Sequence, residues 1–220
     1  GGGGGGGSGG GVTTTLRLGR EALKPFLQPL LVNLFGLLER PNYMTSAGSA
    51  PDYIMKCIMR VVGVAKEDVM PYLGVVLEKL KALLAHAAKN PSNPKYNHFM
   101  FEAVAALVRN VAGKNRATVA NFQHSLFPVF NEILAKEVAE FMPYALQIMA
   151  QLLRLSPNGI TKPFQALFGR ILVPAQYKNR GNVPALVELL QAYLVAPGDG
   201  PNSARAVVVP KLEAVLGVWQ

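Results

Sequence analysis

The sequence predicts an all-α fold, an α-α superhelix built from antiparallel helix pairs. Three observations carry that prediction. Apolar residues step by three and four along most of the chain, which lines one side of a helix. No window alternates with a period of two between turn residues, so no β-sheet is expected. One apolar helix also recurs, with a proline at a matched place, through the 220 residues.

Residues 1–11 are ten Gly and one Ser. Glycine loses the most entropy on ordering and offers no side chain to bury, so residues 1–15 read as a flexible segment. The helical pattern, and with it the solenoid, is expected over 16–220. The first helix of each pair is LKPFLQPLLVNL (23–34), VMPYLGVVLEKL (69–80), LFPVFNEIL (126–134), LFGRIL (167–172) and VVPKLEAVL (208–216). Pro25, Pro71, Pro128 and Pro210 occupy one place in these strings and Gly169 the fifth, at spacings of 46, 57, 41 and 41 residues. HEAT and armadillo units have this length, with an insertion near Pro91–Lys95 explaining the longest interval. A proline inside a helix removes a hydrogen bond and kinks it, so a shared kink would curve the stack; each proline starting its helix is the alternative.

The second helices, YIMKCIMRVVGVA (53–65), HFMFEAVAALVRNVA (98–112), EFMPYALQIMAQLLRL (140–155) and NVPALVELLQAYLVA (182–196), also match one another. About nine helices result. Ser49, Pro51 and Asp52 read as a helix start, as do Asn182 and Pro184. Pro157–Gly159 and Pro197–Gly200 read as helix stops. A single helix of this kind cannot bury both faces, so each pair leans on its neighbours and leaves extended surface for partners.

Composition narrows the function. Half the residues are hydrophobic, yet no apolar run reaches the roughly 18–20 residues of a membrane span, and no signal peptide opens the chain. A soluble, intracellular protein is expected. The chain starts without Met and ends after an apolar stretch, as a fragment would. Its net charge of +9 is spread as +2, +3, +3 and +1 over residues 1–50, 51–110, 111–170 and 171–220. Such a diffuse excess reads as solubility or an acidic protein partner, not as a nucleic-acid surface.

No chemistry emerges from the motifs. His86, His98 and His124 lie far apart with no metal-ligand spacing, and no metal, cofactor or catalytic residue is expected. Glu67 and Asp68 precede a helix and fit its dipole. Cys57, between Ile54 and Ile58, reads as a small core residue. Phe99, Phe101, Phe122, Phe127, Phe130 and Phe141 fall at helical spacing and read as core. Exposed loops and helix starts supply the partner-binding candidates Lys95, His98, Lys178, Asn179, Arg180 and Asn182.

Five strings go beyond generic helical repeats: YIMKCIMR (53–60), KNPSNPKYNHFMFEA (89–103), NFQHSLFPVFNEIL (121–134), EFMPYALQIMAQLL (140–153) and RGNVPALVELLQAYL (180–194). In these the chain resembles the CAS family of importin-β-like receptors over roughly residues 22–195. The resemblance implies a central HEAT-repeat segment of a nuclear export receptor. Its implied partners are importin-α and Ran·GTP, bound together, and nuclear pore proteins. The implied location is shuttling between nucleus and cytoplasm, with no enzymatic activity. The Gly-rich start departs from the family. A HEAT-repeat scaffold or adaptor for protein complexes is the alternative reading.

Overall fold

A computed structural model describes residues 19–40 and 50–217. The Gly-rich segment, Ser49 and the last three residues lie outside the described residues. Helices run α1 (Arg20–Leu23), α2 (Leu27–Leu38), α3 (Pro51–Ala65), α4 (Leu73–Ala87), α5 (Pro94–Leu107) and α6 (Val119–Ala135). They continue as α7 (Met142–Leu155), α8 (Lys162–Ile171), α9 (Val183–Leu194), α10 (Ala204–Val207) and α11 (Leu212–Gly217). Eight of these, α2 to α9, have ten residues or more, close to the nine expected. No strand occurs among the described residues.

The long helices form two layers. In the first, α2, α4, α6 and α8 follow one another, with α4 packed on α6. In the second, α3 runs along α5, α5 meets α7, and α7 runs along α9. Pairs α2–α3, α4–α5 and α6–α7 join the layers. The last pair is joined by Tyr193, whose buried hydroxyl donates to the Phe164 carbonyl at 2.7 Å while its ring lies 4.5 Å from Phe168. This is the helix-pair stack that the repeat spacing predicts.

Periodicity explains which faces are buried. On α3 the buried residues Met55, Ile58, Val62 and Ala65 step by three and four. Cys57 falls about 100° off that stripe and is exposed, so the expectation that it fills the core is corrected. Phe101, Phe122, Phe127, Phe130 and Phe141 are buried as expected, whereas Phe99 is only half-buried.

The prolines do not act alike. Pro25 and Pro71 each sit in a 3-10 turn that leads into an α-helix, with the next residue in nearly the same conformation (Phe26 φ −103°, ψ −2°; Tyr72 φ −105°, ψ 0°). Pro210 also occupies a 3-10 turn, Val209–Lys211. Pro128 lies inside α6, because that helix begins nine residues earlier, after its own 3-10 turn at Arg116–Thr118. A 3-10 turn at the matched proline therefore recurs at Pro25, Pro71 and Pro210, and at Pro128 the α-helix runs through.

The helix stops behave as read. Gly159 has φ +65° and packs against the α9–α10 connection. A Cβ there would lie 2.4 Å from the Pro197 carbonyl oxygen and 2.5 Å from that of Asn202. Only glycine fits both the conformation and the space.

Candidate partner-binding face

Side chains of α3, α5 and α7 that stay outside the core share one face, exposed on α3 and at the start of α5 and half-buried on α7. Tyr53, Lys56 and Arg60 stand on it from α3, Lys95, His98 and Phe99 from α5, and Tyr144 from α7. Each neighbouring pair of helices is linked there by side chains. Lys56 places its Nζ 5.4 Å from the centre of the Phe99 ring, a cation–π contact. His98 Nδ1 and the Tyr144 hydroxyl are 3.2 Å apart, and the Tyr144 ring stacks on Phe101 at 4.8 Å. Further along, Arg154 of α7 donates to the Glu188 carboxylate of α9 at 2.9 Å and to the Glu188 carbonyl oxygen at 3.2 Å.

The sequence candidates divide into two clusters. Lys95 and His98 lie exposed in the first turns of α5. Lys178, Asn179 and Arg180 lie exposed in the turn before α9, where Asn179 accepts from the Gly181 amide at 3.0 Å. With α7 between α5 and α9, the two clusters are not brought together. Asn182 differs from expectation. It is 3% exposed, tucked against the start of α7, where its amide lies 3.7 Å from the Met142 sulfur. Its side-chain oxygen has no hydrogen-bond partner, and it does not cap α9 through its side chain. A helix start in a stack is buried by the preceding repeat, which a reading of single helices misses.

Lys56, Phe99, Tyr144, Arg154 and Glu188 are the face residues that sequence reasoning passed over. A usable signal existed: each is an aromatic or charged residue standing off the buried stripe of an otherwise apolar helix.

The first layer offers a second surface. A groove of about 280 Å³ lies between α2 and α4, lined by Leu31, Val32, Phe35, Tyr72, Val75 and Val76. Lys79 and Glu39 pair across it. Nearby, Arg20 donates to both Asp68 oxygens at 2.6 and 2.8 Å and to Glu67 at 2.7 Å. Both carboxyls are held below their ordinary values. For Asp68 the Arg20 hydrogen bonds dominate; for Glu67 the largest cause is its own backbone amide, followed by Arg20.

Nothing in these surfaces resembles a reaction centre. Among the described residues no three His, Cys, Asp or Glu side chains are grouped to hold a metal ion, and the histidines are separate and exposed. No described helix is long and apolar enough to cross a membrane. The faces are mixed aromatic and basic and are built on packed helices.

Comparison with known proteins agrees. Residues 12–220 match the family described as "CAS/CSE protein, C-terminus". Exportin-2 of Bos taurus and of Homo sapiens are each 40% identical over 198 residues, 90% of this chain and 20% of theirs. Exportin-2 of Pagrus major is 41% identical over 199 residues, again 90% of this chain and 20% of its own. A solved structure, "The exportin Cse1 in its cargo-free, cytoplasmic state", superposes with a TM-score of 0.74 at 26% identity, covering 88% of this chain and 20% of that one. The chain thus spans about a fifth of the length of the relatives it matches. A stacked helical repeat that shares two-fifths of its residues with exportins, the chain belongs to the CAS/CSE family of nuclear transport receptors.

Proposed function

We propose that this chain is a segment of an export receptor that binds importin-α together with Ran·GTP. The receptor returns importin-α from nucleus to cytoplasm, meeting nuclear pore proteins as it shuttles. It works by binding and not by catalysis. The observation that carries this reading is the 40% identity to exportin-2 over nine-tenths of the chain. In a stack of repeats each helix pair touches only its neighbours, so small shifts at each junction add along the chain. Ran·GTP and importin-α would favour the same arrangement of the stack, which couples their binding. The exposed Lys95, His98, Lys178, Asn179 and Arg180 are the contacts this segment offers.

The test is capture of importin-α by the receptor that contains this segment, with and without Ran loaded with a non-hydrolysable GTP analogue. Loaded Ran should raise capture by about tenfold or more, the usual scale of coupled binding. Capture that ignores the nucleotide sinks the proposal and favours a scaffold. In the same assay, Lys95→Glu combined with Arg180→Glu should lower capture by about tenfold if both clusters touch a partner.

A further inference from the structure

One edge of the stack carries charge that the chain itself leaves unanswered. The last turn of α3 lies beside Val108–Ala112, the turn that continues α5, where the Asn110 amide donates to the Val62 carbonyl at 3.5 Å. Lys66, Arg109, Lys114 and Arg116 lie exposed on the turns that meet beside this contact, and Arg60 is exposed farther back on α3. None of the five is within ion-pair distance of an acidic side chain among the described residues. Glu67 and Asp68, the carboxylates of the same edge, are already held by Arg20 and Lys24, and of the five cations Lys114 alone acts on Glu67, through space and as its weakest influence.

Helix stability does not explain this cluster. Basic residues suit a helix C-terminus, which covers Arg109, whereas Arg60 lies before the last turn of α3. Arg116, however, opens the 3-10 turn that starts α6, at the positive end of that helix, where a cation is unfavourable. Lys66 stands at φ 51°, ψ −126°, a backbone conformation that favours glycine, so a lysine there is held at a cost. Local geometry also fixes the patch. Val108–Ala112 form a π-turn, and a Cβ on Gly113 would lie 2.2 Å from the Arg109 carbonyl oxygen. The route from Arg109 to Lys114 is therefore set by a tight turn that only glycine permits.

We propose that this edge is a docking site for an acidic, extended segment of a protein partner, a run of Asp and Glu side chains lying across the ends of α3 and α5. Single-stranded nucleic acid is the lesser fit, because it is gripped by stacking its bases on aromatic rings. The exposed or half-buried rings of this side, Tyr53, Phe99 and Tyr144, belong to the first halves of their helices, and no exposed ring stands at this edge. The inference is independent of the identity of the receptor's cargo.

The experiment is a fluorescence-anisotropy titration of a labelled ten-residue polyglutamate peptide with the full chain. Binding should saturate and weaken several-fold between roughly 50 and 300 mM salt. Lys114→Glu with Arg116→Glu should weaken it by about tenfold, and the neutral pair Lys114→Gln with Arg116→Gln by less. Lys89→Glu with Arg170→Glu, an equal charge change away from this edge, should stay within about twofold. All four positions are exposed, and circular dichroism verifies the fold. Three results would overturn the proposal: no saturable binding, equal losses in edge and control variants, or tighter binding of a ten-nucleotide oligouridine through the same residues.

Discussion

The α2–α4 junction and the α5–α7 junction hold neighbouring repeats by different physics. Between α5 and α7, Phe101 is 1% exposed, stacked on Tyr144 and edge-on to Phe141 at 5.1 Å. Between α2 and α4 the rings give way to an apolar groove, and Val32 and Val75 remain 63% and 64% exposed. Charge takes over there: Arg20 and Lys24 reach Glu67 and Asp68, and Lys79 reaches Glu39. Buried aromatic contact is worth several kcal/mol, whereas an ion pair in solvent is worth about 0–1. Compared helix against helix, the α2–α4 contact is thus the weaker, although α3 running along α5 also joins those two pairs.

Truncating one ring at each junction tests that difference most strongly. Phe101→Ala should destabilise the chain by about 3–5 kcal/mol, because the cavity is walled by rings that cannot collapse. Phe35 is also buried, at 4%, but it lines the groove and lacks packed atoms on that side. Phe35→Ala should cost roughly 2 kcal/mol, since part of its surface already faces open space. Chemical denaturation of both variants decides it. Equal losses would mean that the groove closes in solution and that the two junctions are alike.

A smaller effect of opposite sign is expected where the ionic junction meets α3. Lys66→Gly relieves about 1–3 kcal/mol of backbone strain while adding about 0.5–1 kcal/mol of chain entropy. The net should be a stabilisation near 1 kcal/mol, read as a rise in Tm. The same substitution removes a cation from the α3–α5 edge and should weaken polyglutamate binding. A variant that is less stable, with binding intact, would show that Lys66 is neither strained nor used.

How much of this was legible in sequence follows from what each feature depends on. The two layers were, because apolar spacing and matched prolines are properties of single segments that repeat. The turn at Gly159 was as well, since a Pro-Asn-Gly string stops a helix whatever surrounds it. Cys57 was misread because its apolar neighbours suggested burial, whereas burial follows the Met55–Ile58–Val62 stripe. Asn182 was misplaced because the start of α7, 40 residues away in sequence, covers it. The Lys56–Phe99 and His98–Tyr144 contacts depend on how adjacent repeats register, and one repeat read alone does not encode that. The basic edge is a similar case: segment charge is even along the chain, and only stacking brings the turn that starts at Lys66 against Val108–Ala112.

The ionic junction should also be the acid-sensitive one. Glu67 and Asp68 have folded pKa values below their ordinary 4.5 and 3.8, so their paired carboxylates stabilise the fold fully at neutral pH. That contribution fades as pH falls through the folded values, because protonation then favours the unfolded chain. Thermal unfolding followed from about pH 6 to about pH 3 should show Tm falling over the lower half of that range. Arg20→Gln removes the hydrogen bonds that are the largest cause for Asp68 and the second for Glu67, so its Tm should fall less steeply over the same interval. The effect is small, since these groups face solvent and salt screens them. It is nonetheless specific: a Phe101→Ala chain keeps the Arg20 network and should retain the wild-type slope at its lower Tm. Should Arg20→Gln and Phe101→Ala show the same slope, the charges at Arg20, Glu67 and Asp68 do not hold the α2–α4 junction, and the groove must be closed by its apolar walls alone.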